Sequence, residues 1–154
     1  MKTLLSRVLL LVFATTLVAA QSAPDQPSPS NQPNFLEGVK STMEKYLGRP
    51  YVWGASGIKS FDCSGFVWRV LYENGILMKR TTARKLYMML PAVPKEEQWK
   101  FGTLIFFDDL THVGIVDSPD GFYHSQVIYG TERSQITPFW RRKIYGFRRL
   151  PSTP

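Results

Sequence analysis

The apolar residues that follow position 34 recur at the spacing of an α-helix. Five of them fall on one helical face: Phe35, Val39, Met43, Tyr46 and Leu47. Gly48 comes next, at a point where a left-handed residue commonly ends a helix. The pattern predicts a first helix over residues 35–47.

A second amphipathic segment begins at Cys63. Its apolar stripe consists of Phe66, Val67, Val70 and Leu71. Asp62 precedes it, at a position where a carboxylate accepts a backbone N–H of the first turn, and Asn74-Gly75 is typical of a helix end. We therefore predict a helix that Asp62 caps and that Asn74-Gly75 closes.

The rest of the chain contains one more helix signal and then a succession of strand signals. Thr81 or Thr82 can cap a short helix that runs through Leu90 and is ended by Pro91. Four later runs are rich in β-branched and aromatic residues: GTLIFFDD, THVGIVD, GFYHSQVI and RKIYGFRRL. Because no long helical pattern separates these runs, we predict antiparallel pairing, and helices followed by such a sheet make an α+β fold.

The first 33 residues carry export and linker signals rather than fold signals. Two basic residues flank the start of an apolar run that ends in small residues, so residues 1–20 are predicted to be a cleaved secretory signal peptide. A membrane anchor is the alternative, but the run is shorter than the roughly twenty residues that a span needs.

Residues 21–33 hold four prolines and no large apolar side chain, which predicts a disordered spacer. One domain is then expected over 34–150, in an exported protein that is periplasmic or secreted.

The charge of the chain suits an anionic partner. There are 19 Lys and Arg residues against 12 Asp and Glu residues, and without the two basic residues of the signal peptide the balance is 17 to 12, a net charge of +5. This charge suits an anionic wall or membrane surface, or it provides only solubility. No nucleic-acid-binding motif accompanies it, so we expect no nucleic-acid partner. We also expect a monomer without metal or cofactor.

Cys63 is the only cysteine in the chain. Exported proteins usually pair their cysteines, so a lone thiol favours retention for reactivity, while a buried inert cysteine is the simpler alternative. In the first turn of a helix, unpaired N–H groups and the helix dipole lower the pKa of a thiol. The carboxylate of Asp62 would raise that pKa if it pointed at the sulfur, so we expect it to cap the helix or to meet a cation on the substrate.

The chain has two histidines, and both lie on predicted strands that flank the turn at 117–121. Each one alone could be an ordinary structural side chain. Strand alternation puts His112 and Gly114 on one face, where Gly114 is expected to leave room for the cysteine helix. Residues directly opposite one another on paired strands point to the same face. His124 therefore shares the face of His112 only if the numbers of opposite residues add up to an even value, which requires a bulge or a loop with an odd number of residues. His124 could then orient His112, and His112 could take up the thiol proton.

Four segments resemble the NlpC family of cell-wall cysteine peptidases, a papain-like group. LGRPYVWGASGIKSFDCSGFV at 47–67 is similar to the nucleophile segment of that family, and HVGIV at 112–116 and FYHS at 122–125 are similar to its two histidine segments. The ending PFWRRKIYGFRRL is similar to the close of several members. The resemblance implies the papain-like NlpC fold, in which the cysteine helix packs on an antiparallel sheet that carries both histidines.

The resemblance also implies roles for particular residues. Cys63 would be the nucleophile, His112 its base and His124 the polar third member of the triad. Three more residues would contact the substrate. Asp62 and Ser64 match positions that line the substrate subsite of the family, and Tyr51 matches the family tyrosine whose hydroxyl lies near the sulfur. In many members the subsite aspartate meets the free amine of a stem peptide.

The implied reaction is hydrolysis of amide bonds in the stem peptides of peptidoglycan. The family includes enzymes that cut the γ-D-glutamyl to diamino-acid bond within a stem and others that cut the cross-link between stems. Asp62 and Tyr51 could bind a free N-terminal amine, which favours the first. Related lipid acyltransferases carry the histidine segment before the cysteine segment, which is the reverse of the order here. A non-catalytic wall-binding module would be expected to lose the cysteine or a histidine, and this chain retains them.

Overall fold

The computed structural model describes residues 32–151 and has the predicted α+β architecture. Its helices and strands are, in chain order, α1 (Gln32–Lys45), α2 (Cys63–Glu73), α3 (Ala83–Met89), β1 (Leu104–Phe107), β2 (His112–Ser118), β3 (Gly121–Gln126), β4 (Gly130–Gln135), α4 (Pro138–Lys143) and β5 (Ile144–Arg148). The predicted signal peptide and most of the predicted spacer lie outside the described residues. Within residues 32–151, none of the helices has the length and hydrophobicity needed to cross a bilayer.

The five strands form one antiparallel sheet in the order β4-β3-β2-β1-β5. The four predicted strand runs contain β1, β2, β3 and β5. Each of these strands pairs with its neighbours in antiparallel orientation, which confirms the predicted pairing. β2 is the central strand, and its residues 113–116 are buried on both faces. The middle of the strand that begins with His112 is therefore enclosed within the protein.

Helix α2 begins and ends where the sequence predicts. The carboxylate of Asp62 accepts the N–H of Gly65 at 2.6 Å, and Asn74 is the C-cap. The apolar stripe of α2 packs on one face of the sheet, where it meets Val113 and Ile115 of β2. A cap and an apolar stripe thus hold Cys63 at the start of a buried helix.

The second face of the sheet buries a separate apolar cluster. That cluster contains Ile105, Phe107, Val116 and Phe122, with Trp140 of α4 packed against it. Because side chains alternate along β2, His112 and Gly114 belong to this second face, away from α2. The cysteine helix and the histidines therefore lie on opposite faces of the sheet, and they can meet only at the end of the sheet where β2 begins.

The prediction that Gly114 leaves room for the cysteine helix is wrong. A Cβ atom at Gly114 would lie 2.7 Å from Phe122 Cδ2, 2.7 Å from the carbonyl oxygen of Tyr123 and 3.3 Å from the Cβ of His124. The missing side chain therefore makes room for β3, because the second face of the sheet is filled by aromatic rings.

Three segments differ from the prediction. Helix α1 begins at Gln32 rather than at residue 35, with Pro33 in its first turn, where the missing N–H has no helical partner to lose. The polar run GTERSQ forms β4, which no apolar alternation predicts, because it is an edge strand held by pairing with β3. The start of the RKIYGFRRL run belongs to α4, which Thr137 caps.

The substitution Gly114→Ala tests the packing of the second face. We expect it to lower the free energy of unfolding by about 1–3 kcal/mol, because the added methyl group meets the main chain of β3, which cannot move without disturbing the sheet. Gly57→Ala is the matched control, since a Cβ atom there meets no atom within 4 Å, and its effect should stay within about 0.5 kcal/mol. Urea denaturation measures both values, and equal midpoints for the two variants would contradict the packing argument.

Candidate active site

The thiol of Cys63 lies against the main chain at the start of β2. Only 6% of the residue is exposed. Its Sγ donates a hydrogen bond to the carbonyl oxygen of Thr111 at 3.7 Å, and the N–H of Val113 is directed at the sulfur. Thr111 and Val113 are the chain neighbours of His112, so the sulfur contacts the backbone on both sides of that residue. Within residues 32–151, no hydrogen bond joins the sulfur to an imidazole.

A turn of unusual conformation presents Thr111 to the sulfur. Asp108, Asp109 and Leu110 have φ angles of +48°, +53° and +70°, in the left-handed region that residues other than glycine rarely adopt. Thr111 donates its N–H at 3.1 Å and its hydroxyl at 2.7 Å to the carbonyl oxygen of Asp108, and Lys143 pairs with the Asp108 carboxylate at 3.0 Å. Surrounding contacts thus hold a strained backbone beside the thiol, as is common at functional sites.

His112 and His124 lie on the same face of neighbouring strands, as predicted. Ile115 pairs with Tyr123, so paired numbers have an even sum, and a one-residue shift in register between positions 116 and 118 supplies the required bulge. Nε2 of His112 is 2.7 Å from Nδ1 of His124, and the two ring planes are 86° apart. The structure therefore joins the two histidines directly.

Aromatic rings cover both imidazoles. The ring of Trp140 stacks on that of His112, with centroids 5.7 Å apart, and meets the ring of His124 edge-on at 5.1 Å. Phe122 also packs against His124, with centroids 4.5 Å apart, and its ring lies 5.1 Å from that of Trp140. Trp140 is not among the predicted site residues, although the resemblance of its run PFWRRK to the close of family members is a signal for such a role.

Burial opposes a charge on the thiol and on the imidazoles. Burial raises the pKa of Cys63, and the carboxylate of Asp62 raises it further. Burial also lowers the pKa of His112 to about 4 and holds that of His124 far below its ordinary value. The predicted lowering of the thiol pKa is therefore wrong for the resting protein, because desolvation exceeds the effect of the N–H groups at the start of α2. At neutral pH the site rests as a neutral thiol beside neutral imidazoles.

The thiol borders a cleft of about 400 Å³. The lining includes the predicted site residues Asp62, Cys63 and Ser64, together with Trp53, Gly54, Arg80, Leu110 and Thr111. Neither histidine is among the described residues that line the cleft. Tyr51 is not among them either, but its pKa is raised, mainly by burial and also by the charges that Cys63 and Asp62 carry when ionised, so Tyr51 lies in the vicinity of both groups.

The carboxylate of Asp62 already has four hydrogen-bond partners. Its Oδ1 accepts from Gly65 N at 2.6 Å, from Ser64 Oγ at 3.2 Å and from Arg80 Nη2 at 2.5 Å, and its Oδ2 accepts from Gly54 N at 2.9 Å. Of the two roles expected for Asp62, the structure shows the helix cap. A substrate cation would have to share this carboxylate with Arg80, a residue for which the sequence pattern provides no signal.

Comparison with known proteins identifies one group of relatives. The profile of the NlpC/P60 family matches residues 48–149. The chain is 32% identical over 117 residues to the probable endopeptidase p60 of Listeria welshimeri, which is 70% of this chain and 21% of that protein. It is 25% identical over 154 residues to the probable endopeptidase NlpC of Escherichia coli, which is 94% of this chain and 99% of that protein.

The fold comparison agrees with the sequence comparison. A crystal structure from Staphylococcus aureus, described as similar to lipoprotein and of the NLP/P60 family, matches with a TM-score of 0.68 and 29% identity, over 78% of this chain and 42% of that one. The chain spans about a fifth of the length of the p60 relative.

The pH dependence of alkylation tests the charge state of the thiol. Because the thiolate is the reactive form and the folded protein disfavours it, we expect the midpoint for iodoacetamide labelling to lie at higher pH in the folded protein than in the urea-unfolded chain. Cys63 is the only cysteine, so mass spectrometry reports on this thiol alone. A midpoint below that of the unfolded chain would contradict the neutral resting state and would indicate a thiolate paired with an imidazolium.

Proposed function

The chain belongs to the NlpC/P60 family, and from this premise we propose that it is an exported cysteine hydrolase that cleaves amide bonds in the stem peptides of peptidoglycan. Cys63 is the nucleophile, His112 is the general base and His124 orients His112. The observation that carries the proposal is the contact of the lone thiol with the backbone around His112, whose Nε2 is held by His124.

The neutral resting site favours a general-base mechanism. As the sulfur attacks the carbonyl carbon of the substrate, the thiol proton passes to Nδ1 of His112, the ring nitrogen that His124 leaves free. The thioester forms when the C–N bond breaks and the imidazolium returns that proton to the leaving amine. Water then attacks the thioester and gives a proton to His112. The S–C bond breaks, which releases the acid, and His112 returns the proton to the sulfur to restore the free thiol.

The start of α2 supports the stabilisation of the oxyanion formed in each attack. The first N–H groups of a helix have no partner within it, and Asp62 takes up the one at Gly65. The N–H of Ser64 faces the sulfur. A negatively charged oxygen that forms next to the sulfur would be stabilised there by backbone donors and by the helix dipole.

Two charged side chains in the cleft, those of Asp62 and Arg80, favour cleavage of a bond within a stem peptide. The Oδ2 atom of Asp62 accepts one hydrogen bond among the described residues, so it has capacity for the free amine of an L-alanyl residue. A D-glutamyl residue linked through its γ-carboxyl keeps a free α-carboxylate, and Arg80 lines the same cleft. We therefore assign the γ-D-glutamyl to diamino-acid bond as the target, with Tyr51, Asp62, Ser64 and Arg80 in the substrate subsite.

A cross-link-cutting endopeptidase is the second candidate. Such an enzyme would not need a free amine, and the pairing of Asp62 with Arg80 reduces the charge available to bind one. A non-catalytic wall-binding role is less favoured, because a binding module requires neither a thiol held against the backbone beside His112 nor a histidine pair at that place.

The substitution Cys63→Ala tests the nucleophile. We expect hydrolysis of purified peptidoglycan to fall by at least about a thousandfold, and His112→Ala to lose nearly as much, because nucleophile and base act as one unit. His124→Asn should lose less, since an amide can also orient the base. Circular dichroism and thermal unfolding establish that each variant is folded. A folded Cys63→Ala protein with the wild-type rate would exclude Cys63 as the nucleophile.

Digestion of purified muropeptides tests the bond assignment. The products of free stem peptides and of cross-linked dimers are to be identified by mass spectrometry. We expect release of L-Ala-γ-D-Glu from free stems, and Arg80→Gln should slow this release mainly through a higher KM. Conversion of cross-linked dimers to intact monomers would instead identify a cross-link cutter, and binding of muropeptides without any product would reject the hydrolase.

A further inference from the structure

We propose that Glu132, acting through Ser134, is a positioning residue that sets which ring nitrogen of His112 is unprotonated, an inference that rests on the proposed role of His112 as the base. Four side chains form a hydrogen-bond chain from the solvent to that base: Glu132, Ser134, His124 and His112. Glu132 and Ser134 belong to β4, the edge strand that the hydrophobic pattern does not predict.

The register of the sheet brings the outer residues of the hydrogen-bond chain to the histidines. His124 pairs directly with Glu132 across β3 and β4, and Ser134 pairs with Phe122 two positions further along the same face. Nε2 of His124 is 2.9 Å from Ser134 Oγ and 3.5 Å from Glu132 Oε1. His124 itself has no exposed surface, so these two side chains supply the polar surroundings of its outer nitrogen.

The direction of the hydrogen bonds starts at Glu132. A carboxylate accepts and cannot donate, so Ser134 must give its only hydroxyl proton to Glu132 Oε1, at 2.7 Å. Gln126 donates its amide N–H to the same oxygen and so holds the carboxylate in place. The oxygen of Ser134 is then free only to accept, and Nε2 of His124 must be its donor.

The positions of the remaining protons follow from this direction. A neutral imidazole carries one proton, so a proton on Nε2 of His124 leaves Nδ1 of that ring as an acceptor. Nε2 of His112, 2.7 Å away, must therefore donate to it, which leaves Nδ1 of His112 unprotonated. Nδ1 is the ring nitrogen nearer to the main chain of His112, and the sulfur of Cys63 contacts the neighbouring main chain at Thr111.

Without an obligate acceptor at position 132, the same four side chains could hydrogen-bond in the opposite direction. Ser134 would donate to Nε2 of His124, Nδ1 of His124 would donate to Nε2 of His112, and the proton of His112 would lie on Nδ1. A base protonated on that nitrogen cannot take up the thiol proton. Glu132 therefore selects between two tautomers of the histidine pair, one of which is catalytically competent.

The experiment is ¹⁵N NMR of the imidazole nitrogens in the full chain, which contains only two histidines. In the wild-type protein we expect Nδ1 of both rings to be unprotonated and Nε2 of both rings to carry the proton. Glu132→Gln has nearly the same shape but can present either an N–H or an oxygen to Ser134, so both tautomers should be populated. Arg133→Gln is the matched control, because it removes a charge from the opposite face of β4, where Arg133 pairs with Asp117, and it should leave the wild-type tautomer unchanged.

Enzyme kinetics on a muropeptide substrate provide a second readout. Equal populations of the two tautomers leave half of the molecules without a competent base, so Glu132→Gln should lower kcat by about twofold or more with KM unchanged. A proton on Nδ1 of His112 in the wild type would overturn the inference, and so would a wild-type tautomer in Glu132→Gln. The NMR result is independent of activity, so a wild-type protein that hydrolyses nothing would reject the proposed function while the tautomers still decide the role of Glu132.

Discussion

A one-residue shift in the pairing of β2 with β3 decides which face of the sheet His124 occupies. Without the shift between positions 116 and 118, every side chain of β3 would move to the other face, and His124 would point into the cluster under α2. With it, the two histidines meet under Trp140, and the polar residues of β4 reach the outer side of His124. The geometry of the candidate site thus depends on one irregularity in the backbone of a central pair of strands.

The separation of thiol and imidazoles on the two faces of the sheet accounts for the electrostatics of the site. Each group is enclosed by apolar side chains of its own cluster, so each rests in its neutral form. Cys63 and His112 approach one another only where β2 begins, beside the left-handed turn at 108–110. In the proposed reaction, charge forms only when the sulfur attacks the substrate carbonyl, next to the backbone N–H of Ser64 at the start of α2.

Most of the fold could be predicted from local patterns. Asp62 at the start of α2, Asn74 at its end and Thr82 at the start of α3 act on N–H groups or carbonyls within a few residues, so their effect can be read without knowing the rest of the chain. Helix α4, which Thr137 caps, also has such a local signal, whereas strand β4 could not be predicted in this way. β4 has no apolar face and owes its conformation to pairing with β3, which is a contact between segments rather than a property of either one.

For the site, the sequence by itself determined the candidate residues and a condition: Cys63 at a helix start, and two histidines that share a face only if their strands pair with an even sum. Tertiary structure decided that the bulge meets this condition, that Asp62 is paired with Arg80, and that Trp140, Ser134 and Glu132 surround the histidines. It also decided the direction in which the pKa of the thiol moves. Caps and periodicity depend on neighbours a few positions away, whereas register, burial and charge pairing depend on segments that are distant in the chain and meet only when the whole sheet has formed.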